Sequence, residues 1–309
     1  MPRAEKILVA YDGSDCANAA LNDIRHAGLD PKARVRVITV SDPWIPPIEA
    51  MSVATDVVFA GAYALTRTTM KESLREARAL AEKGAARLRG NFPGWTVSSL
   101  AAIDAPAQGI LDAAEKWKPS LIVMGSRGHT TLGRLLLGSV SHKVLTHATC
   151  SVRISRPGSA HISVPRVLLA VDGSKDADAM VKYVANRSWN KDAEFRIVVV
   201  LDYRLSLIQD FEAGITAKGR IKGVPSPSRL AERIAEQAEF ALADRGYKVT
   251  ASIREGDPRR EIEREARRFK ANSLFLGSRG LHAVQRFLLG SVSSALAEHA
   301  PCAVEIVRR

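Results

Sequence analysis

A chain of 309 residues exceeds the usual size of one α/β domain, so length alone favours two. With 46% hydrophobic and 25% charged residues, the composition excludes a disordered chain and leaves apolar material for two cores. The 45 Lys+Arg outnumber 33 Asp+Glu by 12, but residues 1–157 hold 20 basic and 14 acidic residues and residues 158–309 hold 25 and 19, so each half carries +6. An even spread excludes a basic nucleic-acid-binding arm and favours small anionic ligands.

In chain order, Ile7 to Tyr11 is a short apolar run of the kind that forms a parallel strand buried on both faces. Val35 to Val40 is a β-branched strand. Residues from about 66 to 90 have helical composition. Trp95 to Ala102 reads as a third strand, Pro106 opens a helix, and Leu121 to Met124 is a fourth strand. Gly138 to His147 is a short helix and Ser151 to Ser155 the last strand of this half. The second half repeats the order: strands Val167 to Val171 and Phe195 to Leu201, a helix from about 228 to 244, a strand Tyr247 to Arg254, a helix Pro258 to Phe269, a strand Leu274 to Leu276, a helix from Gly290, and a strand Ala303 to Val307. Strands alternating with helices predict open parallel sheets with helices on both faces.

The halves are copies. Ile7 to Ser14 (ILVAYDGS) returns as Val167 to Ser174 (VLLAVDGS), Gly125-Ser126-Arg127-Gly128 as Gly277-Ser278-Arg279-Gly280, and Leu136 to Ser141 as Leu288 to Ser293. The offset falls from 160 residues to 152, so the second copy is shorter in its middle. A period this long is a duplicated domain, with expected bounds 1–157 and 162–309 and a Pro/Gly/Ser joint near Arg156 to Ala160. No run of 18 apolar residues exists; the best stretch, Met51 to Thr66, carries Asp56, so no membrane span is expected. The start has no apolar leader-like segment, and three cysteines are too few for a disulfide framework, so a cytoplasmic location is the expectation.

In open α/β sheets, ligands bind beyond the carboxyl ends of the strands. That selects Asp12 and Asp172 after the first strand, Val40 and Val200 ending the second, and the segments after Met124 and Leu276. Those segments share the spacing Gly125-x2-Gly128-x9-Gly138-Ser139 and Gly277-x2-Gly280-x9-Gly290-Ser291. Glycine permits positive φ and close approach, successive amides can line an anion-binding hollow, and Gly138-Ser139-Val140 starts a helix whose free N–H groups favour phosphate. The P-loop spacing is absent, as is a Gly-x-Gly-x-x-Gly after the first strand, which disfavours a dinucleotide.

The paired G-x2-G-x9-G-[ST] spacing, with Asp closing the first strand, resembles the universal stress protein family as a tandem pair over roughly residues 4–155 and 164–308. The resemblance implies two tandem open parallel five-stranded sheets of order 3-2-1-4-5, Rossmann-like and similar to the adenine nucleotide alpha hydrolase group. It implies the ATP-binding branch, with an ATP-binding regulatory or sensor role in stress response and one site per repeat. Carried over by position, Asp12 and Val40 belong to the adenine–ribose end, and Gly125, Gly128, Gly138, Ser139 and Val140 to ribose and phosphates, with Met124 also counted in the site; Asp172, Val200, Gly277, Gly280, Gly290, Ser291, Val292 and Leu276 are their counterparts. The resemblance also implies an intrachain pseudo-dimer, with Ser151–Ser155 and Ala303–Val307 in contact, and allows a homodimer. The Gly-x-Pro turn of the family is present as Gly256-Asp257-Pro258, whereas the first copy has Asp104-Ala105-Pro106.

Each reading has a plainer rival. Asp12 and Asp172 could be helix N-caps. Arg127 and Arg279 could reach phosphate or be solvated, and Arg134 and Arg286 likewise. His147 and His299 read as cations at helix C-termini, and Cys150 and Cys302 as packing residues. The charge run Arg259 to Arg268 reads as a solvated helix face with pairs such as Glu263/Arg267. No metal-ligand spacing and no catalytic triad is readable, so hydrolysis, where it occurs, is expected to be slow, and Mg2+ would bridge the phosphates. Lys218, Arg220 and Lys222 predict tighter ATP binding in the second copy. The alternatives are a nucleotide-dependent enzyme transferring adenylyl or nucleotidyl groups, a cyclic AMP or AMP binder, and a ligand-free scaffold.

Overall fold

The computed structural model describes residues 4–43, 56–128, 137–157, 164–202, 226–281 and 289–308, with residues 56–65 described by backbone alone. The first half runs β1 (Lys6–Ala10), α1 (Asp15–Asp23), a 3-10 turn (Ile24–His26), β2 (Arg34–Ser41), α2 (Asp56–Asn91), β3 (Thr96–Ile103), α3 (Pro106–Trp117), β4 (Leu121–Gly125), α4 (Ser139–His147) and β5 (Ser151–Ser155). The second runs β6 (Arg166–Ala170), α5 (Lys175–Ala185), β7 (Glu194–Leu201), α6 (Pro227–Ala243), β8 (Lys248–Glu255), α7 (Pro258–Phe269), β9 (Ser273–Gly277), α8 (Ser291–His299) and β10 (Ala303–Val307).

Each half has the order 3-2-1-4-5, all parallel, but the two are not separate sheets. They form one ten-stranded sheet, β3-β2-β1-β4-β5-β10-β9-β6-β7-β8. The join is the antiparallel pair β5–β10, with Arg153 opposite Glu305 and Val304 opposite Ile154. An edge strand presents unpaired N–H and C=O groups, and pairing the two terminal strands satisfies both edges at once. α2 begins ten residues before the expected start, because adding a residue to an existing helix gains a hydrogen bond at little further entropy. The joint near Ala160 lies outside the described residues.

Strand alternation sends successive side chains to opposite faces. On one face, Leu8, Ile122, Val152, Ile154, Leu168, Leu274, Val304 and Ile306 merge with α3, α4, α7 and α8 into a single apolar core spanning both halves. On the other, the core is divided: α1 and α2 cover Ile7, Val9 and Val123, while α5 and α6 cover Val167, Leu169 and Phe275. Charged groups fill the gap between these two cores. Arg153 and Glu305, the residues between the apolar ones on β5 and β10, point there and are wholly buried. The turn after α1 also abuts the second half: a side chain on Gly28, whose φ is +62, would lie 2.5 Å from the Trp189 ring.

Candidate functional site

The site is built from the carboxyl ends of the first, second and fourth strands of each half. After β1 the chain turns through Gly13 at φ +80, and after β6 through Gly173 at φ +79, which glycine alone tolerates cheaply. The N-caps of α1 and α5 are not the aspartates: Ser14 and Ser174 accept the Ala17 and Ala177 amides, each at 3.2 Å. Asp12 and Asp172 sit two residues earlier and accept the Ser14 and Ser174 amides at 3.0 and 2.9 Å, forming the turn that presents the cap. The other Asp172 oxygen accepts the Leu281 amide at 3.2 Å, tying this turn to the loop after β9.

None of the motif glycines uses positive φ. Their requirement is close approach. A Cβ on Gly125 would fall 2.6 Å from the Cys16 carbonyl carbon, and one on Gly277 would fall 3.0 Å from that of Asp176, where the fourth strand crosses the start of the first helix. A Cβ on Gly128 or Gly280 would lie 2.8 or 2.7 Å from the Asp12 or Asp172 carboxylate. Gly138 and Gly290 donate their amides to the Ser126 and Ser278 carbonyls at 2.8 and 2.9 Å, closing each loop. Those two amides therefore serve the protein itself; the groups that α4 and α8 offer outward begin at Ser139 and Ser291, both exposed. α1, α5, α6 and α7 are capped by Ser14, Ser174, Ser226 and Asp257, but α4 and α8 start on glycine with no side-chain cap. An uncapped first turn with its positive dipole end facing a hollow suits an anion.

In the second half this hollow is a cavity of about 500 Å3. It brings together Asp172, Val200, Leu276, Gly277, Arg279, Gly280, Gly290, Ser291 and Val292, every position selected there from sequence. Its size is within the roughly 300–1,000 Å3 of small-molecule sites. Ile234 of α6 and Ile262 of α7 form apolar walls, with Leu230 and Leu281 beside them. These walls escaped the sequence reading, because a helical apolar stripe signals a buried face without saying whether core or ligand covers it. In the first half, Asp12, Val40, Met124, Gly125, Arg127, Gly128, Gly138, Ser139 and Val140 take the equivalent places. Met124 and Leu276 are themselves core residues, and Val40, Val140, Val200 and Val292 pack against the same core, so each would offer a ligand backbone or a side-chain edge.

Of the differences between the halves in the first turn of the first helix, Cys16 against Asp176 touches the site. Asp176, buried, accepts from Ser278 Oγ and from Arg279 Nε, each at 2.9 Å. The Arg279 guanidinium is thus anchored to the protein rather than solvated. The first half has Cys16 there, 3.7 Å from the Ser126 hydroxyl. The third-strand turns differ as well: Gly256 is at φ +132 and Asp257 caps two amides of α7, whereas α3 has no side-chain cap. Arg134, Arg286, Lys218, Arg220 and Lys222 lie outside the described residues.

His147 and His299 end α4 and α8. Among the described residues no group of three or more His, Cys, Asp or Glu could hold a metal ion. The charge run of α7 is only partly a solvated face: Glu263 and Arg267 pair at 2.7 Å in the open, but Glu265 is buried between Arg196 and Arg254, at 2.9 and 2.6 Å. Burying a carboxylate is tolerable there because two guanidiniums from neighbouring strands meet it.

Burial pushes the Cys150 thiol up to about 11 and the Cys302 thiol up to about 12. Unfolded thiols ionise near about 8.5, so above that pH the folded state binds more protons than the unfolded one, and stability falls as pH rises towards about 11. The expected slope reaches roughly 1.4 kcal/mol per pH unit for each thiol. Urea midpoints measured from pH 7 to 10 should be level up to about pH 8.5 and decline beyond it. Iodoacetamide at pH 8 should modify neither Cys150 nor Cys302 until the chain unfolds.

The model of the universal stress protein family matches residues 4–156 and again residues 164–308. This chain belongs to the universal stress protein family. A candidate universal stress protein of Staphylococcus epidermidis is 33% identical over 150 residues, covering 48% of this chain and 86% of that one. One from Staphylococcus aureus is 31% identical over the same shares. A universal stress protein structure from Archaeoglobus fulgidus superposes with a TM-score of 0.66 at 22% identity, covering 99% of both chains. At that identity the superposition speaks for the fold alone, and it extends to the tandem arrangement. Among the described residues no helix is long and apolar enough to cross a membrane.

Proposed function

We propose that this universal stress protein binds ATP, one molecule per repeat, and acts as a nucleotide-responsive regulator rather than a fast enzyme. The observation that carries the reading is the cavity at the carboxyl ends of β6, β7 and β9, with the uncapped first turn of α8 at one side and apolar walls at the other. Apolar walls suit a planar base, and an open helix N-terminus with the exposed Ser291 hydroxyl suits phosphate. Mg2+ would be held mainly by the phosphates, since among the described residues no group of three or more His, Cys, Asp or Glu could hold a metal ion. Asp172 already accepts two backbone amides, which disfavours it as a general base, so hydrolysis is expected to be slow. A place in the cytoplasm fits the three free thiols.

The test is equilibrium dialysis of nucleotide-stripped protein against labelled ATP with Mg2+. Two molecules bound per chain are expected, with the second repeat the tighter site. No uptake would overturn the reading and leave the ligand-free scaffold in its place.

A further inference from the structure

Four charged side chains bond in alternating sign along the seam between the repeats, with the Glu5 carboxylate near enough to act on Arg187 and Glu305. Asp23 of α1 accepts from Arg153 Nε at 2.7 Å and Nη2 at 3.0 Å. Arg153 reaches across to Glu305 at 3.3 Å, and Glu305 accepts from Arg187 at 3.1 Å and through a second, shorter contact. Arg187 also donates to the Ala27 carbonyl at 2.6 Å, back in the first half. Asp23, Arg153 and Glu305 are wholly inaccessible to water. A buried ion network of this kind adds little net stability over an apolar seam, so its value must be sought in what it excludes.

The repeat arithmetic supplies the answer. Arg153 and Glu305 are the same position of the two repeats, 152 residues apart, and they face each other directly across the seam. By the offset of 160 that relates the first helices, Asp23 corresponds to Tyr183 and Ala27 to Arg187. At the symmetric position, therefore, two first repeats would bury Arg153 against a second Arg153, and two second repeats would bury Glu305 against a second Glu305. Asp23 would still accompany each Arg153 and Arg187 each Glu305, but the attraction across the seam, Arg153 to Glu305 at 3.3 Å, would become a repulsion between like charges out of water. The neighbouring contacts are equally one-sided: Trp189 lies on Gly28, and the Ser188 amide donates to the Gly28 carbonyl at 2.8 Å.

We propose that Asp23, Arg153, Glu305 and Arg187 form a recognition key that joins a first repeat only to a second repeat. The seam rejects a second copy of the same repeat, so β5 and β10 close on each other and are withheld from homotypic assembly between chains. The partner this surface fits is a last strand bearing a carboxylate where its own bears a guanidinium.

The test keeps the whole chain, with a protease site inserted within residues 158–163 and cut after folding. Native mass spectrometry of the cut protein should give only the unlike pair. Like pairs at their statistical share, or separation into single halves, would overturn the proposal. Rewriting the second repeat to the first (Tyr183→Asp, Arg187→Ala, Glu305→Arg) should weaken the unlike pair at least 100-fold. Adding the reciprocal set (Asp23→Tyr, Ala27→Arg, Arg153→Glu) should restore it with the polarity reversed. An unlike pair undisturbed by the first set, or unrestored by the second, would show that the seam is held by shape alone.

Discussion

Glu305→Ala should lower stability by about 3–5 kcal/mol, on the order of 10 °C in the melting temperature. The cost arises because one carboxylate serves two buried guanidiniums, Arg153 and Arg187, and both stay in place when it goes. Asp23 still neutralises Arg153, but the direct partners left to Arg187 are the Tyr183 hydroxyl and the Ala27 carbonyl, with the Glu5 carboxylate acting only at longer range. A carbonyl or hydroxyl partner does not offset the desolvation of a full charge. Glu265→Ala is the matched control. It also removes a carboxylate shared by two arginines, but Arg196 and Arg254 are 26% and 30% exposed and can turn to water. A loss near 1 kcal/mol is expected there. Calorimetry of the two variants checks the contrast, and equal losses would contradict the assignment of the larger cost to stranded buried charge.

Gly290→Val should reduce ATP affinity in the second repeat at least 100-fold, about 2.7 kcal/mol, while leaving the fold nearly intact. The backbone there is at φ −62, open to any residue, and a Cβ would sit 3.4 Å from the Ser278 carbonyl oxygen, an ordinary contact. The Cβ itself therefore displaces nothing. What changes is the entrance to α8: branched methyl groups at the N-cap would stand over the amides of the first turn and hold a phosphate away from them. Gly138→Val should act alike on the first repeat. Gly125→Ala gives the opposite pattern. Its Cβ would fall 2.6 Å from backbone of α1, which must shift, so 1–3 kcal/mol of stability should be lost, roughly as for an overpacked core. Titration calorimetry beside thermal melts separates the two behaviours. A Gly290→Val protein that still bound ATP normally would remove α8 from the site.

The glycine spacing was legible because it is a local pattern, repeated at the same place after the same strand. Its reason was not. Positive φ belongs to Gly13 and Gly173 in the first turn, whereas Gly125, Gly128, Gly277 and Gly280 are glycine because another segment passes within contact. Close approach is a property of two segments more than a hundred residues apart, and no single stretch of sequence contains it. The same holds for Arg279, whose partner Asp176 is 103 residues away.

From the linear order of residues came the strand–helix alternation, the duplication and the motif positions, since each rests on periodicity or repetition within short windows. Only the folded chain decided that the two sheets fuse into one, that Arg153 meets Glu305, and that the apolar faces of α6 and α7 wall a cavity. These outcomes depend on which edges and faces are left unsatisfied once each half has formed, and that is settled by packing in three dimensions.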